Sequence, residues 1–193
     1  MTILVLMGPP GAGKGTQAEV LAARLGVPAI STGDIFRAQV ADGTPLGREA
    51  KGYLDAGEYV PDSVTNAMIC ERLAAEDTRS GFLLDGYPRT LEQVAVLDEL
   101  LAEQDRRLDA VVVLEVDADA LVARLLHRAA LANRSDDTEP VIRHRLKVYA
   151  EQTQPLIEVY AGRDLVTTID GTGDTAQVSQ RILSAAVSLL QAG

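Results

Sequence analysis

The sequence predicts an α/β fold, a doubly wound five-stranded parallel sheet with helices on both faces. Two observations carry that expectation. Short Val- and Ile-rich apolar runs alternate with longer stretches of helical periodicity. The runs are continuously apolar and not alternating, as strands covered on both faces require.

In order, Ile3 to Met7 is the first such run. A helix follows over 15–25, with Ala18, Leu21, Ala22 and Leu25 on one stripe and Gly26 at its stop. Ala29-Ile30 makes a short strand. Residues 32–74 read as helices only, with turns at Asp42-Gly43-Thr44-Pro45 and Val60-Pro61-Asp62. Phe82-Leu83-Leu84 is the next buried strand, followed by a helix over 90–103. Ala110 to Leu114 is a strand and 118–128 a helix, with a loop over 129–140 that ends at Pro140. A long helix is expected near 139–161, a strand at Leu165 to Ile169 and a last helix over 175–190, with Val178, Ile182, Ala186 and Leu189 at helical spacing. Neither 32–74 nor 129–140 looks like a separate domain, so 1–193 reads as one domain with two inserts on its sheet.

Composition narrows the function. Lys and Arg total 18 against 28 Asp and Glu, a net charge of −10. Such a surface repels nucleic acid and anionic membrane. No apolar run is long enough to span a bilayer and the start lacks a secretion signal, so a cytoplasmic location is expected. No heptad or apolar stripe beyond the needs of the core suggests a dimer, so a monomer is expected. The single Cys70 excludes an intramolecular disulfide and a cysteine-based zinc site. It reads as a small apolar residue in a helix.

Two motifs bear on chemistry. Directly after the first strand stands Gly8-Pro9-Pro10-Gly11-Ala12-Gly13-Lys14-Gly15-Thr16, with the spacing of a phosphate-binding P-loop. Its glycines let backbone N–H groups surround an anion, Lys14 adds a mobile cation, and the following helix offers its N-terminal dipole. The hydroxyl that usually follows the lysine to ligate Mg²⁺ is displaced by one residue, from Gly15 to Thr16. A metal held by the protein mostly through water, with the triphosphate as its main ligand, is therefore expected. The second motif, Leu84-Asp85-Gly86-Tyr87-Pro88-Arg89, puts Asp85 at a strand's carboxyl end, placed to accept hydrogen bonds from metal-bound water, while the turn presents Arg89.

Together with Ser31-Thr32-Gly33-Asp34-x-x-Arg37 and Asp136-Asp137 before Arg143-x-Arg145, these motifs closely resemble the adenylate kinase family of nucleoside monophosphate kinases over about residues 1–173. The resemblance implies reversible transfer of the terminal phosphoryl group of ATP to AMP on a P-loop NTPase-like sheet. It implies an AMP-binding insert over 31–60 and a short lid without structural zinc over 128–140, closing on ATP and Mg²⁺. By position, ATP would meet Gly11, Ala12, Gly13, Lys14, Gly15, Thr16, Arg128 and Gly173. AMP would meet Thr32, Arg37, Glu58, Tyr59, Val60, Gly86, Tyr87, Pro88, Arg89, Gln93, Arg134 and Arg145. The catalytic set would be Lys14, Arg37, Asp85, Arg89, Arg134 and Arg145, with Asp85 holding the metal through water.

The lid departs from the short form. Arg128-Ala129-Ala130-Leu131-Ala132-Asn133-Arg134 carries extra apolar residues, and His127 stands where glycine is common. Arg124 and Arg128 are four apart and share a helix face. Arg143 and Arg145 do not; the resemblance selects Arg145 for the cleft and leaves Arg143 to solvent or an acid such as Glu139. His127 and His144 read as surface or packing residues, since phosphoryl transfer between ionised nucleotides needs no general base. Three other readings stand beside this one: a kinase for UMP, CMP or GMP, against which Thr32 and Gln93 speak; a P-loop switch or regulatory ATPase, which leaves Gly86 to Arg89 and the insert without a purpose; and an inactive nucleotide-binding module, which conflicts with intact Lys14, Asp85 and Arg89.

Overall fold

The computed structural model describes residues 1–132 and 138–192. Five strands form one parallel sheet: β1 Thr2–Met7, β2 Ala29–Ser31, β3 Gly81–Asp85, β4 Ala110–Glu115 and β5 Val166–Asp170. Their order is β2-β3-β1-β4-β5. β1 is therefore central, with β3 and the edge strand β2 on one side and β4 and β5 on the other, and the loop after β1 lies where the winding reverses, the crevice in which open parallel sheets bind ligands.

Alternate side chains of each strand feed two cores. Ile3, Val5, Phe82, Leu84, Val111 and Val113 pack on one face against Ile69 of α4 (Asp62–Leu73), Leu97 of α5 (Leu91–Glu103) and Leu156 of α8 (Leu156–Ala161). Leu4, Leu6, Leu83, Val112 and Leu114 pack on the other, against Leu21 of α1 (Lys14–Leu25), Leu121 of α6 (Ala118–Ala132) and Val178 and Ile182 of α9 (Thr175–Ala192). Burial of each of these side chains stabilises the fold by roughly 1.5–3 kcal/mol before entropy. With few aromatics available, aliphatic packing on both faces supplies the core.

The stretch between β2 and β3 is helical, as the sequence predicts: α2 Thr32–Ala41, α3 Pro45–Ala56 and α4. Ser31 caps α2, its Oγ accepting from the Asp34 amide, and Thr44 caps α3 through the Gly47 amide. Gly47 is where α3 meets α2; a Cβ there would lie 1.9 Å from the Gln39 carbonyl oxygen.

Two expectations are corrected. The helix predicted to end at 128 runs to Ala132, because Ala129-Ala130-Leu131-Ala132 are strong helix formers with no breaker before Asn133. The loop predicted over 129–140 is accordingly shorter, and 133–137 lie outside the described residues. The long helix expected over 139–161 is divided. It runs as α7 (Glu139–Val148), passes through a π-turn at Tyr149–Thr153 and restarts as α8. Pro155 supplies the cause, since it has no N–H to donate and its ring crowds the preceding turn. Among the described residues, no helix is long and apolar enough to cross a membrane.

Candidate active site

The loop between β1 and α1 opens at Gly8, whose φ of +145° and position 2.7 Å, by an added Cβ, from the Leu114 carbonyl oxygen leave no room for a side chain. β4 thus presses the loop into its tight path. Gly13, with φ +91°, delivers the chain into α1. Ala12 is buried against the core, and its N–H donates to the Pro9 carbonyl at 3.1 Å, closing a turn inside the loop.

Lys14 folds back over this turn. Its Nζ donates to the carbonyls of Gly8 (2.7 Å) and Pro9 (3.0 Å). Burial is the main cause that lowers its pKa to about 8; Asp85 opposes the shift, while Arg89, Arg145 and Arg128 add to it. Asp85 closes β3, paired in register with Leu6 of β1. Burial pushes its carboxyl above the usual carboxylate range, and Lys14 and Arg89 pull it back.

Around this pair lies a cleft of about 370 Å³. The loop supplies Gly11, Gly13, Lys14, Gly15 and Thr16 to its wall, and Asp85 and Arg89 come from the end of β3. Arg37 reaches it from α2, Arg124 and Arg128 from α6, and Arg145 from α7. Among the described residues, six cations face three carboxylates there, Glu19, Asp34 and Asp85. This inverts the charge balance of the whole chain. Arg37 forms an ion pair with Asp34, one helical turn away. Arg143 lies outside, bound to Glu139 Oε1 by Nε (3.1 Å) and Nη2 (2.8 Å).

A second, narrow cavity adjoins the cleft through Arg89 and Gly33, which line both. Thr32, Glu58, Tyr59, Val60 and Gln93 line it, with Phe36 and Leu54. The Thr32 hydroxyl donates to the Gly86 carbonyl at 2.8 Å. Gly86 has φ +78°, and an added Cβ would lie 2.7 Å from Arg89 Nη2 and 2.8 Å from Thr32 Oγ1. Arg89 is held three ways: its Nε donates to the Gly86 carbonyl (2.7 Å), its amide donates to Gln93 Oε1 (2.7 Å), and its guanidinium lies 4.8 Å over the Tyr59 ring. The carboxylate of Glu58 is taken up by His144 Nε2 at 2.5 Å.

Three residues assigned from the resemblance lie elsewhere. Tyr87 is 1% exposed; its hydroxyl donates to Asn66 Oδ1 (2.8 Å) and the Gln93 carbonyl (3.2 Å), so its ring belongs to the core and not to the cavity. Pro88 lines a neighbouring small cavity with Lys14, Tyr59 and Arg145. Gly173 lies in the β5–α9 turn, away from the cleft wall, while Arg124 Nη2 donates to the carbonyl of nearby Gly171 at 3.2 Å. Arg134 lies outside the described residues. Thr153 was missed altogether. Its Oγ1 donates to the Arg89 carbonyl (3.0 Å) and meets the Tyr59 hydroxyl at 2.7 Å, tying the π-turn to both cavities.

A phosphate loop at the reversal point of a parallel sheet, with a strand-end carboxylate beside its lysine, defines a P-loop NTPase-like fold. The description "Adenylate kinase" belongs to the family profile that matches residues 6–165, and the chain is a member of that family. It is 59% identical over 182 residues to the adenylate kinase of Nocardioides sp., covering 94% of this chain and 95% of that one. To the adenylate kinase of Kocuria rhizophila it is 58% identical over 185 residues, covering 96% and 98%. To that of Thermobifida fusca it is 54% identical over 182 residues, covering 94% and 96%.

Proposed function

We propose that this chain catalyses ATP + AMP ⇌ 2 ADP, with ATP phosphates over the loop and AMP bound by the α2–α4 insert. The observation that carries the reading is that the two cavities adjoin: Arg89 and Gly33 line both the six-cation cleft and the Thr32–Gln93 pocket. A monophosphate whose base enters the smaller cavity would set its phosphate beside Arg89 and Arg37, facing a triphosphate at Lys14.

Two anionic substrates repel one another, and the transition state spreads charge over the transferred oxygens. Catalysis is then largely alignment and electrostatic stabilisation. Lys14, released from the Gly8 and Pro9 carbonyls, would hold the β- and γ-phosphates. Arg37 and Arg89 would orient the acceptor phosphate in line. Arg128 and Arg145, with Arg134, would neutralise the developing charge as the lid over 128–140 closes and excludes water. Planar guanidinium forks suit paired phosphate oxygens.

Asp85 fits a divalent ion that arrives with the nucleotide. Among the described residues no three His, Cys, Asp or Glu side chains converge, and one buried carboxylate behind a phosphate loop matches outer-sphere contact with hydrated Mg²⁺. Bound there, Mg²⁺ would neutralise charge on the β- and γ-phosphates. The acid surplus supports small nucleotides as partners over nucleic acid or membrane, and the chain reads as a cytoplasmic monomer.

The test is a coupled assay. Purified protein with MgATP should form ADP only when AMP is supplied. Faster turnover with UMP, CMP or GMP would reassign the base, and ATP loss without an acceptor would indicate an ATPase.

A further inference from the structure

We propose that Asp62 is a positioning residue that fixes the side-chain amide of Gln93 in one orientation and thereby sets the preference for an adenine acceptor over a 6-oxopurine. The proposal rests on the reading of the smaller cavity as the AMP base site.

Gln93 is 1% exposed and lines that cavity from the first turn of α5. A glutamine amide has two nearly isosteric orientations, which exchange its donor and acceptor ends. Here its two neighbours are of opposite kind. Asp62, the first residue of α4, is an acceptor, and its Oδ1 takes a hydrogen bond from Gln93 Nε2 at 2.6 Å. The Arg89 main-chain N–H is a donor, and it gives to Gln93 Oε1 at 2.7 Å. A flip would set oxygen against carboxylate and N–H against N–H. Asp62 is itself held, because Thr90 Oγ1 donates to its Oδ2 at 2.7 Å while accepting from the Gln93 amide at 3.2 Å as the cap of α5.

With one N–H spent on Asp62, Gln93 Nε2 keeps a second, and the lock makes that end of the amide a donor. Adenine offers an unprotonated N1, an acceptor. Hypoxanthine and guanine carry N1–H, a donor, and would set two donors together. A hydrogen-bonding site rejects a mismatched base strongly only if the protein group cannot turn to suit it. Asp62 supplies that restriction together with the Arg89 N–H, without lining the base cavity itself.

The experiment compares wild type with Asp62→Ala and Asp62→Asn, measuring kcat and KM for AMP and IMP as acceptors and KM for ATP. Asparagine can still accept from Nε2 while its own amide faces Thr90. For Asp62→Ala the expected result is a rise of about tenfold in KM for AMP and a fall of about tenfold in the AMP/IMP ratio of kcat/KM, with KM for ATP unchanged. Asp62→Asn should keep the ratio within about threefold of wild type. If Asp62→Ala does not fold, Asp62→Ser is read the same way. An AMP/IMP ratio unchanged in the Ala or Ser variant, or AMP and ATP constants worsening together, would overturn the proposal and leave Asp62 a purely structural residue. Failure of wild type to use AMP would instead remove the functional reading beneath it.

Discussion

Because Lys14 is buried beside three arginines and has a pKa of about 8, nucleotide binding should be visible as proton uptake. Near pH 8.5 only about a quarter of the unliganded protein would carry the ammonium ion, by the ordinary titration relation. Triphosphate oxygens set against Nζ favour the charged form. Complete protonation in the complex therefore takes up about 0.75 proton at pH 8.5, where the phosphates themselves are already ionised. The sign for affinity follows. Above pH 8 the unliganded protein must bind a proton first, so ATP affinity falls by nearly tenfold per pH unit as it rises through 9. Titration calorimetry in buffers of different ionisation enthalpy at pH 8.5 gives the proton number directly. Lys14→Arg keeps a fixed charge and should abolish the uptake. Uptake below about 0.2 proton in wild type, or equal uptake in Lys14→Arg, would refute the assignment of a depressed lysine. The same shift predicts that the unliganded protein gains stability from this group between pH 8 and 10.5, where the unfolded chain binds the additional proton.

Other outcomes follow from single contacts. Arg89→Ala should cost on the order of 2–4 kcal/mol in transition-state stabilisation, read as kcat/KM for AMP; near-normal turnover would remove Arg89 from the mechanism. Gly86→Ala drives a Cβ into Arg89 Nη2 and Thr32 Oγ1 at a left-handed φ; it should lower the same parameter by at least about tenfold and also lower stability by about 1–2 kcal/mol. Gly47→Ala places its methyl on the Gln39 carbonyl and should destabilise by the upper end of about 1–3 kcal/mol, seen in denaturant unfolding. The buried Tyr160 hydroxyl has no hydrogen-bond partner among the described residues, so Tyr160→Phe should be neutral or stabilising by up to about 1–2 kcal/mol; a clear loss of stability would show that the hydroxyl is satisfied in solution.

The sheet was legible because each strand is a short apolar run bounded by turn residues, and the two phosphate motifs because glycine, lysine and carboxylate stand at fixed offsets. Strand order was not, since nothing local in Ala29–Ser31 says that it pairs with Leu83–Asp85. Pro155 is a local signal for the break in the expected 139–161 helix, legible in the sequence because proline ends or kinks a helix at the residues before it. Arg124 was half legible: it shares a helix face with Arg128, and the fold turns that face to the cleft. Thr153 and Asp62 carried no signal. Their partners stand 64 and 31 residues away, and such contacts arise only from packing. Tyr87 faces the core although its motif is contiguous with Gly86 and Arg89, because successive residues of a tight turn face opposite ways.

The parallel ladder also acts as a ruler. Leu6 pairs with both Asp85 and Val112, so β1 and β3, which present the lysine loop and the carboxylate, end within a residue of one another, while β4 runs on to Glu115. Slipping β1 by one residue against β3 would displace the loop from Asp85 by about 3.3 Å and exchange the two cores at once. Pairing errors and loss of the anion cradle are thereby a single fault. A misregistered chain would be both unstable and unable to gain stability from nucleotide, so ligand present during refolding would select for the correct ladder.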